Sequence, residues 1–353
     1  GVVRIRVDLD EEPDSIIDHT THSEVEGWTE TDLLLCCRTY NDPYLRETLF
    51  TGEIAAVSGQ DVVLSVGAGA LQLADLLQPG SNYYVEVTSG DLEGHRFDVV
   101  SASGNAITLT NDSALHAAEA PFNTWQGALP SDLVGDALVL RRHVTLDERF
   151  PPNAFGASDS QMTADMIQVF ADGAWTFYWL DENGGSPRWV DAAESPMLDR
   201  GDRILPPGQG VFFNNRTSEK SILAYGEIRA NDFLRPLDDS DNLVGGGFPL
   251  DQSAAGPNQR NMRSDGFVGS LDFKVADSFF IWRQDADPGA AGYDSYFLAD
   301  GSPVNPSLKR WVAVGDALLG NREGEVILLG NHAVFLRSGL GYDTYTVPQP
   351  WAP

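Results

Sequence analysis

Arg188-Trp189-Val190 and Arg310-Trp311-Val312 are the stretches on which the reading of this chain turns. They lie 122 positions apart (188 against 310), and the same spacing relates Gly208 to Gly330 and Phe213 to Phe335. Upstream the match continues at shorter offsets. Asp165-Met166-Ile167-Gln168-Val169-Phe170 aligns with Asp277-Ser278-Phe279-Phe280-Ile281-Trp282, 112 apart, and Arg149-Phe150-Pro151 with Gly247-Phe248-Pro249, 98 apart. The changing offset places insertions between shared strands. Each copy reads in the same order: a Phe-Pro start, a polar Gly/Ser/Asn-rich loop, a first strand and an aromatic strand (Trp175-Thr176-Phe177-Tyr178-Trp179 or Tyr296-Phe297-Leu298). The Arg-Trp-Val strand follows, then a glycine turn into Val211-Phe212-Phe213 or Ala333-Val334-Phe335. Branched and aromatic residues in short runs between turn residues are strand signals. Duplication of such a unit builds extended scaffolds rather than a single catalytic pocket.

Ahead of the duplication, strand signals recur at close spacing. Phe50–Val57 leads through Ser58-Gly59-Gln60-Asp61 into Val62–Val66, a hairpin with a glycine in its turn. Tyr83-Tyr84-Val85-Glu86-Val87, Phe97-Asp98-Val99-Val100 and Ile107-Thr108-Leu109-Thr110 continue the meander. The expected fold class is all-β: an N-terminal strand and a small barrel or sandwich module, followed by two tandem related β-sandwich-like modules. The expected boundaries are 1–45 for the N-terminal strand and acidic linker, 46–143 for the small barrel, 144–241 and 242–339 for the repeats, and 340–353 for a Pro-rich tail.

Composition narrows the setting. The chain has 353 residues, 42% hydrophobic, long enough for several cores. With 52 Asp+Glu against 23 Lys+Arg its net charge is −29, and only Lys220, Lys274 and Lys309 are lysines. That balance argues against nucleic acid and against an anionic membrane surface, both of which need cationic footprints. It suits a saline medium, where screening removes self-repulsion, or simply a soluble secreted protein. No apolar run of about 18 residues provides a membrane-spanning helix. The chain opens on Gly1 rather than Met, which is read as the end left by removal of an export signal, placing it outside the cell or on its surface.

The two cysteines, Cys36 and Cys37, are adjacent. An ordinary loop-closing disulfide between them is excluded, because Cα atoms across a trans peptide sit at about 3.8 Å, below the usual disulfide separation. Three states remain: reduced with one thiol buried, a strained vicinal disulfide, or a bond to a neighbouring molecule.

Read in order, the motifs resemble a family of secreted proteins of unknown function found mainly as paralogues in verrucomicrobial bacteria. The resemblance rests on Gly1-Val2-Val3-Arg4-Ile5-Arg6-Val7, Phe50-Thr51-Gly52-Glu53-Ile54, the stretch from Tyr83 to Phe97, Trp175 to Trp189, and Leu205-Pro206-Pro207-Gly208-Gln209-Gly210-Val211-Phe212-Phe213. It spans nearly the whole chain. The acidity, the paired cysteines and the long segment around Asp18–Arg38 depart from the pattern. The resemblance implies export and β-rich structure, and carries over no activity and no functional residue.

Candidate sites follow from residue chemistry. Trp175, Phe177 and Trp179 alternate along one strand and so share a face. With Trp189 the tryptophans Trp175 and Trp179 form a candidate platform for sugar rings, against the commoner role of aromatics as core. Asp238, Asp239 and Asp241, with Asp285 and Asp287, are carboxylate clusters in turns, suited to calcium or simply solvated. His19 and His22 stand three apart among carboxylates, without a third ligand at metal-site spacing. No Gly-x-Ser-x-Gly elbow, His-Glu-x-x-His or phosphate loop is present, so no catalytic residue is assigned. The opening strand is apolar and followed by charge, which suits strand addition to a neighbour through Val2, Val3, Ile5 and Val7, with Cys36 and Cys37 nearby. Pairing within its own chain is the commoner alternative. The expectation is therefore a non-enzymatic extracellular structural protein that self-assembles into a filament or layer. The alternative is a carbohydrate-binding surface protein, with extracellular polysaccharide as partner. No cofactor is expected beyond calcium.

Overall fold

The structure is a computed structural model. It describes residues 3–8, 37–41, 43–65, 72–110, 128–171, 173–182, 185–217, 221–237, 241–249, 252–253, 267–283, 292–301, 309–322, 327–328, 333–337 and 344–347, and strand counts are of these residues. Two strands open the chain, β1 (Val3–Asp8) and β2 (Cys37–Asn41). Six more close a barrel in the order β3-β4-β7-β6-β5-β8. They are β3 (Phe50–Ser58), β4 (Asp61–Ser65), β5 (Tyr83–Val87), β6 (Arg96–Ser103), β7 (Ala106–Thr110) and β8 (Ala137–Arg142). The alternation read from the sequence fills its interior: Ile54, Val62, Leu64, Val85, Phe97, Ile107, Leu109, Leu138 and Leu140 are all buried there. The fold class is all-β as expected.

The first repeat continues with β9 (Val144–Thr145), the short helix α1 (Leu146–Arg149), β10 (Met166–Ala171), β11 (Ala174–Asp181), β12 (Arg188–Asp191), β13 (Ile204–Leu205), β14 (Gly210–Asn214) and β15 (Ser221–Gly226). The second comprises β16 (Phe233–Pro236), β17 (Asp241–Gly245), β18 (Gln252–Ser253), β19 (Ser278–Arg283), β20 (Gly292–Asp300), β21 (Lys309–Ala313), β22 (Ile327–Leu328), β23 (Ala333–Arg337) and β24 (Thr344–Val347).

Both repeats build the same objects. Each has a five-stranded sheet, β12-β11-β10-β14-β2 or β21-β20-β19-β23-β17. Each has a short ribbon, β9–β13 or β18–β22, and a second ribbon joining its first and last strands, β1–β15 or β16–β24. The first repeat therefore begins at β1, ahead of the barrel, rather than at residue 144. The barrel is an insertion between β2 and β9 of the first copy. β1 is the counterpart of β16, and its antiparallel partner is β15 of the same chain, from Val3↔Gly226 to Asp8↔Ser221.

The cores repeat as well. Trp189 and Trp311 are each fully buried and pack against Phe155 and Phe267, with ring centroids 5.8 and 5.7 Å apart. Buried Asp165 and Asp277 hold equivalent loops, each accepting a 2.7 Å hydrogen bond from a backbone N–H, of Gly156 and Val268 respectively. One correspondence read from sequence shifts by a residue. Ile167 pairs with Phe213 and Phe279 with Leu336, so Phe213 matches Leu336, and Phe212 matches Phe335. In a strand a one-residue slip changes the face. Phe213 lies in the core of the first repeat, whereas Phe335 lies between the repeats.

There the backs of the two sheets meet around Phe170, Trp175, Phe212, Leu243, Phe280, Trp282 and Phe335. The contact is nearly two-fold: Phe212 meets Trp282, and Phe335 meets Phe170, both at 5.7 Å and 78°. Such edge-to-face pairs add about 0.5–1.5 kcal/mol each beyond area burial. Gly245 permits the close approach, since a Cβ there would fall 1.9 Å from Cγ of Asn41.

The two tryptophans differ in one bond. The Trp189 indole N–H donates to the Phe150 carbonyl at 2.8 Å, whereas the Trp311 N–H has no partner among the described residues. Trp189→Phe leaves a buried carbonyl unpaired and Trp311→Phe does not. The former is expected to cost about 1–3 kcal/mol more, read as the difference in urea denaturation free energies.

Candidate functional site: the junction of barrel and repeats

Strand β5 is buried along its whole length, which alternation alone does not give. Tyr83, Val85 and Val87 face the barrel interior, so Tyr84 and Glu86 point outward. Register places Tyr84 between Asp98 and Arg141, and Glu86 between Arg96 and Val139. The outer face of β8-β5-β6 thus presents a ladder of charged groups. The segment from Glu227 to Pro236 covers it.

The fastening is dense. Arg229 forms an ion pair with Glu86, whose Oε1 also accepts from Asn231 Nδ2 at 2.9 Å. Arg96 donates to the carbonyls of Pro207, at 3.2 Å, and Leu234, at 2.6 Å. The guanidinium carbons of Arg96 and Arg229 each stand 5.1 Å from the centre of the Phe233 ring. Arg235 reaches Gly208 O at 2.5 Å and Gln209 Oε1 at 3.1 Å. Gly208 adopts φ +76°, and a Cβ there would lie 2.2 Å from the Phe233 ring, so the turn must be glycine. His143 Nε2 and Asp98 Oδ1 are 2.7 Å apart, and the imidazole packs on Tyr84 with centroids at 4.9 Å. At the rim, Glu227 accepts from Arg141 and from both the N–H and the hydroxyl of Thr48.

Charge states follow from this geometry. Burial pulls the Arg96 guanidinium down to about 10, opposed by Tyr84 and Asp98, and likewise Arg229, opposed by Tyr84. Both remain cations at neutral pH. Burial raises the Glu227 carboxyl, but the Arg141 and Thr48 hydrogen bonds outweigh it and hold the group below its ordinary value. Burial pushes the Tyr84 phenol upward, partly countered by the three arginines Arg141, Arg229 and Arg96. Glu86, Arg96, Asp98, His143 and Arg229 are each no more than 2% exposed. Groups so enclosed have no access to a substrate, and the arrangement acts as a bolt between modules. A cleft of about 560 Å³ opens beside it, walled by Leu45, Arg46, Gln78, Tyr83, Arg142 and Glu227. Its cations are engaged: Arg46 and Arg142 both bind Glu148, the former at 2.9 Å.

The residues singled out from sequence are placed differently. Val3, Ile5 and Val7 lie in β1, paired in-chain with β15, and Val2 and Cys36 lie outside the described residues. Cys37 opens β2, opposite Asn214. Trp189 belongs to the core of the first repeat and faces away from Trp175 and Trp179, so the three do not form one platform. Trp179 is 4% exposed and packs on Met166 and Val190. Trp175 is half-buried between the repeats. The tryptophan corrections share one cause: at these positions both faces of the sheet are packed against other parts of the chain. Asp238, Asp239, Asp285 and Asp287 lie outside the described residues, as do His19 and His22. Asp241 forms a two-point ion pair with Arg337, at 2.7 and 3.1 Å. Among the described residues no group of three metal-ligating side chains is found.

Glu86, Arg96 and Arg229 were not singled out from sequence. A glutamate flanked by Val85 and Val87, after two tyrosines, was the available signal. No protein-family model, no curated protein and no solved structure matches the chain. What fold and junction define is an all-β protein in which an inserted barrel is fastened to a duplicated sheet module.

Removing one partner of a buried pair strands the other charge. Glu86→Gln is expected to cost about 3–5 kcal/mol by urea denaturation. Adding Arg229→Met should recover part of that loss, because the stranded cation is then gone.

Proposed function

We propose that this chain is a non-enzymatic structural subunit that acts outside the cell and associates with its own copies. The observation that carries the reading is the junction. Glu86, Arg96, Asp98, Arg229 and Arg235, the buried charges at the meeting point of three modules, are committed to one another and to backbone carbonyls. Rigid fastening of three modules suits a load-bearing unit. The acid-rich composition and the resemblance to secreted proteins support an extracellular setting. β15 takes one edge of β1, so donating that strand to a neighbour would require it to leave its partner, and the reading is carried forward on other surfaces.

Negative-stain electron microscopy and sedimentation velocity of the purified chain test the reading. Concentration-dependent species larger than one chain, growing into regular fibres or sheets, are expected. A single-chain species at every concentration and salt level sinks it.

One observation favours sugar binding as a second reading. Trp175 and Phe177 lie 6.4 Å apart with rings inclined by only 31°, and Phe177 is 38% exposed. Two neighbouring, mutually tilted rings on one sheet face suit stacking against a pyranose. On a glycan array, binding that survives in folded wild-type protein and falls at least tenfold in Phe177→Ala would establish it. Equal signals from both proteins would remove it.

A further inference from the structure

Twelve large apolar side chains stand exposed on the described surface, and eight of them fall in two places. Met162, Met197 and Leu198 project from the loops 158–163 and 192–200 of the first repeat. Leu271, Phe273, Val275, Val314 and Leu318 project from the loops 270–275 and 314–322 of the second. These are the same loops in the two copies. Ser158 N donates to Leu180 O as Ser270 N does to Leu298 O, and Arg200 N to Trp189 O as Arg322 N does to Trp311 O. Both sit beside the outermost strand of their sheet, β12 or β21, the strand farthest in sheet order from the shared aromatic contact. They lie at the outer edges of two pseudo-symmetric sheets, and are here termed the first and second ends.

The ends resemble each other in shape and differ in charge. Loops and edge strand of the first end (158–163 and 187–200) hold four carboxylates, Asp159, Asp191, Glu194 and Asp199, against Arg188 and Arg200. The second end (270–275 and 309–322) holds four cations, Lys274, Lys309, Arg310 and Arg322, against Asp272 and Asp316. Two of the three lysines of the chain are here. Lys274 stands where the first repeat has Met162, Leu271 where it has Asp159, and Ala313 where it has Asp191. In a chain of net charge −29 a net-positive, apolar end is a surface that a second copy can approach with its net-negative, apolar end.

Strand addition is not the means. The bridge Val190↔Asp199 and the Arg200 N–H to Trp189 O bond cap the edge of β12, and the Arg322 N–H to Trp311 O bond does the same for β21. Side chains on the loops are left to make the contact. Leu319, held at φ +50°, packs inward on Phe297 and Val312, while Leu318 beside it is 88% exposed.

We infer that the second-repeat end of one copy docks on the first-repeat end of the next, giving a head-to-tail chain of subunits. A heterologous contact of this kind does not close on itself unless its rotation happens to, and so propagates. The inference rests on the self-association proposed above and names its surfaces.

Sedimentation velocity on two full-length variants tests it. Leu318→Asp blocks the second end and Met162→Lys the first, each placing a charge that the facing end repels, both at side chains too exposed to unsettle the fold. Each variant alone is expected to associate at least tenfold more weakly than wild type. An equimolar mixture is expected to form a two-chain species and stop there, since one free end remains of each kind. Wild-type assembly unchanged by either substitution overturns the docking surfaces and leaves the structural-subunit reading standing. Met162→Lys dimerising alone replaces head-to-tail docking with contact between two second-repeat ends. A wild type that never associates overturns both readings.

Discussion

The guanidinium groups of Arg96 and Arg229 both lie against one phenylalanine ring, Phe233, with their charges closed off from water. Burying a cation costs several kcal/mol unless its donors are met. Here a carboxylate from the barrel pairs with Arg229, and carbonyls from both repeats accept from Arg96. Arg96 comes from the barrel, Arg229 from the connection between the repeats, Phe233 from the first strand of the second repeat, and Pro207 and Gly208 from the turn leading into the first repeat's sheet. This cluster ties the barrel core to the cores of both repeats, which also meet each other through the aromatic contact around Phe212 and Phe335. Arginine suits the role because it stays charged and carries five donors in a fixed plane.

The duplication explains features that look unrelated along the chain. The opening strand and the far C-terminal strand are the outer members of equivalent ribbons. The strand after the acidic linker and the strand at Asp241 are equivalent edges of equivalent sheets. The barrel interrupts the first copy and leaves the second continuous. Once the backs of the two sheets bury the Phe170, Phe212 and Phe335 cluster, aromatic residues that look available from sequence are consumed by structure.

A good part of this was legible beforehand. The paired Arg-Trp-Val strands, the alternating barrel strands and the glycine turns come from local patterns, and local patterns report which residues turn inward. The expected barrel boundaries enclose the six barrel strands. What was not legible depends on long-range partners. Trp179 and Trp189 differ only in which face they occupy, and nothing in the sequence shows that both faces are covered. Phe213 was matched to Phe335, and the single-residue slip became visible only through strand register. Nothing local marks Glu86 as a buried charge, because its partner lies at Arg229, far along the chain.

Sequence by itself determined the all-β class, the repetition, the net negative charge and the scarcity of lysine. Each of these is a property of composition or of short-range periodicity. Tertiary structure alone decided that the first repeat encloses the barrel, that β1 belongs to β15, and which charges are buried. It also set the two ends of the molecule apart, one acidic and one basic. The physical reason is common to all of these. Pairing of distant strands and burial of a charge are settled by what comes to lie opposite, and a linear pattern carries no record of its neighbours in space.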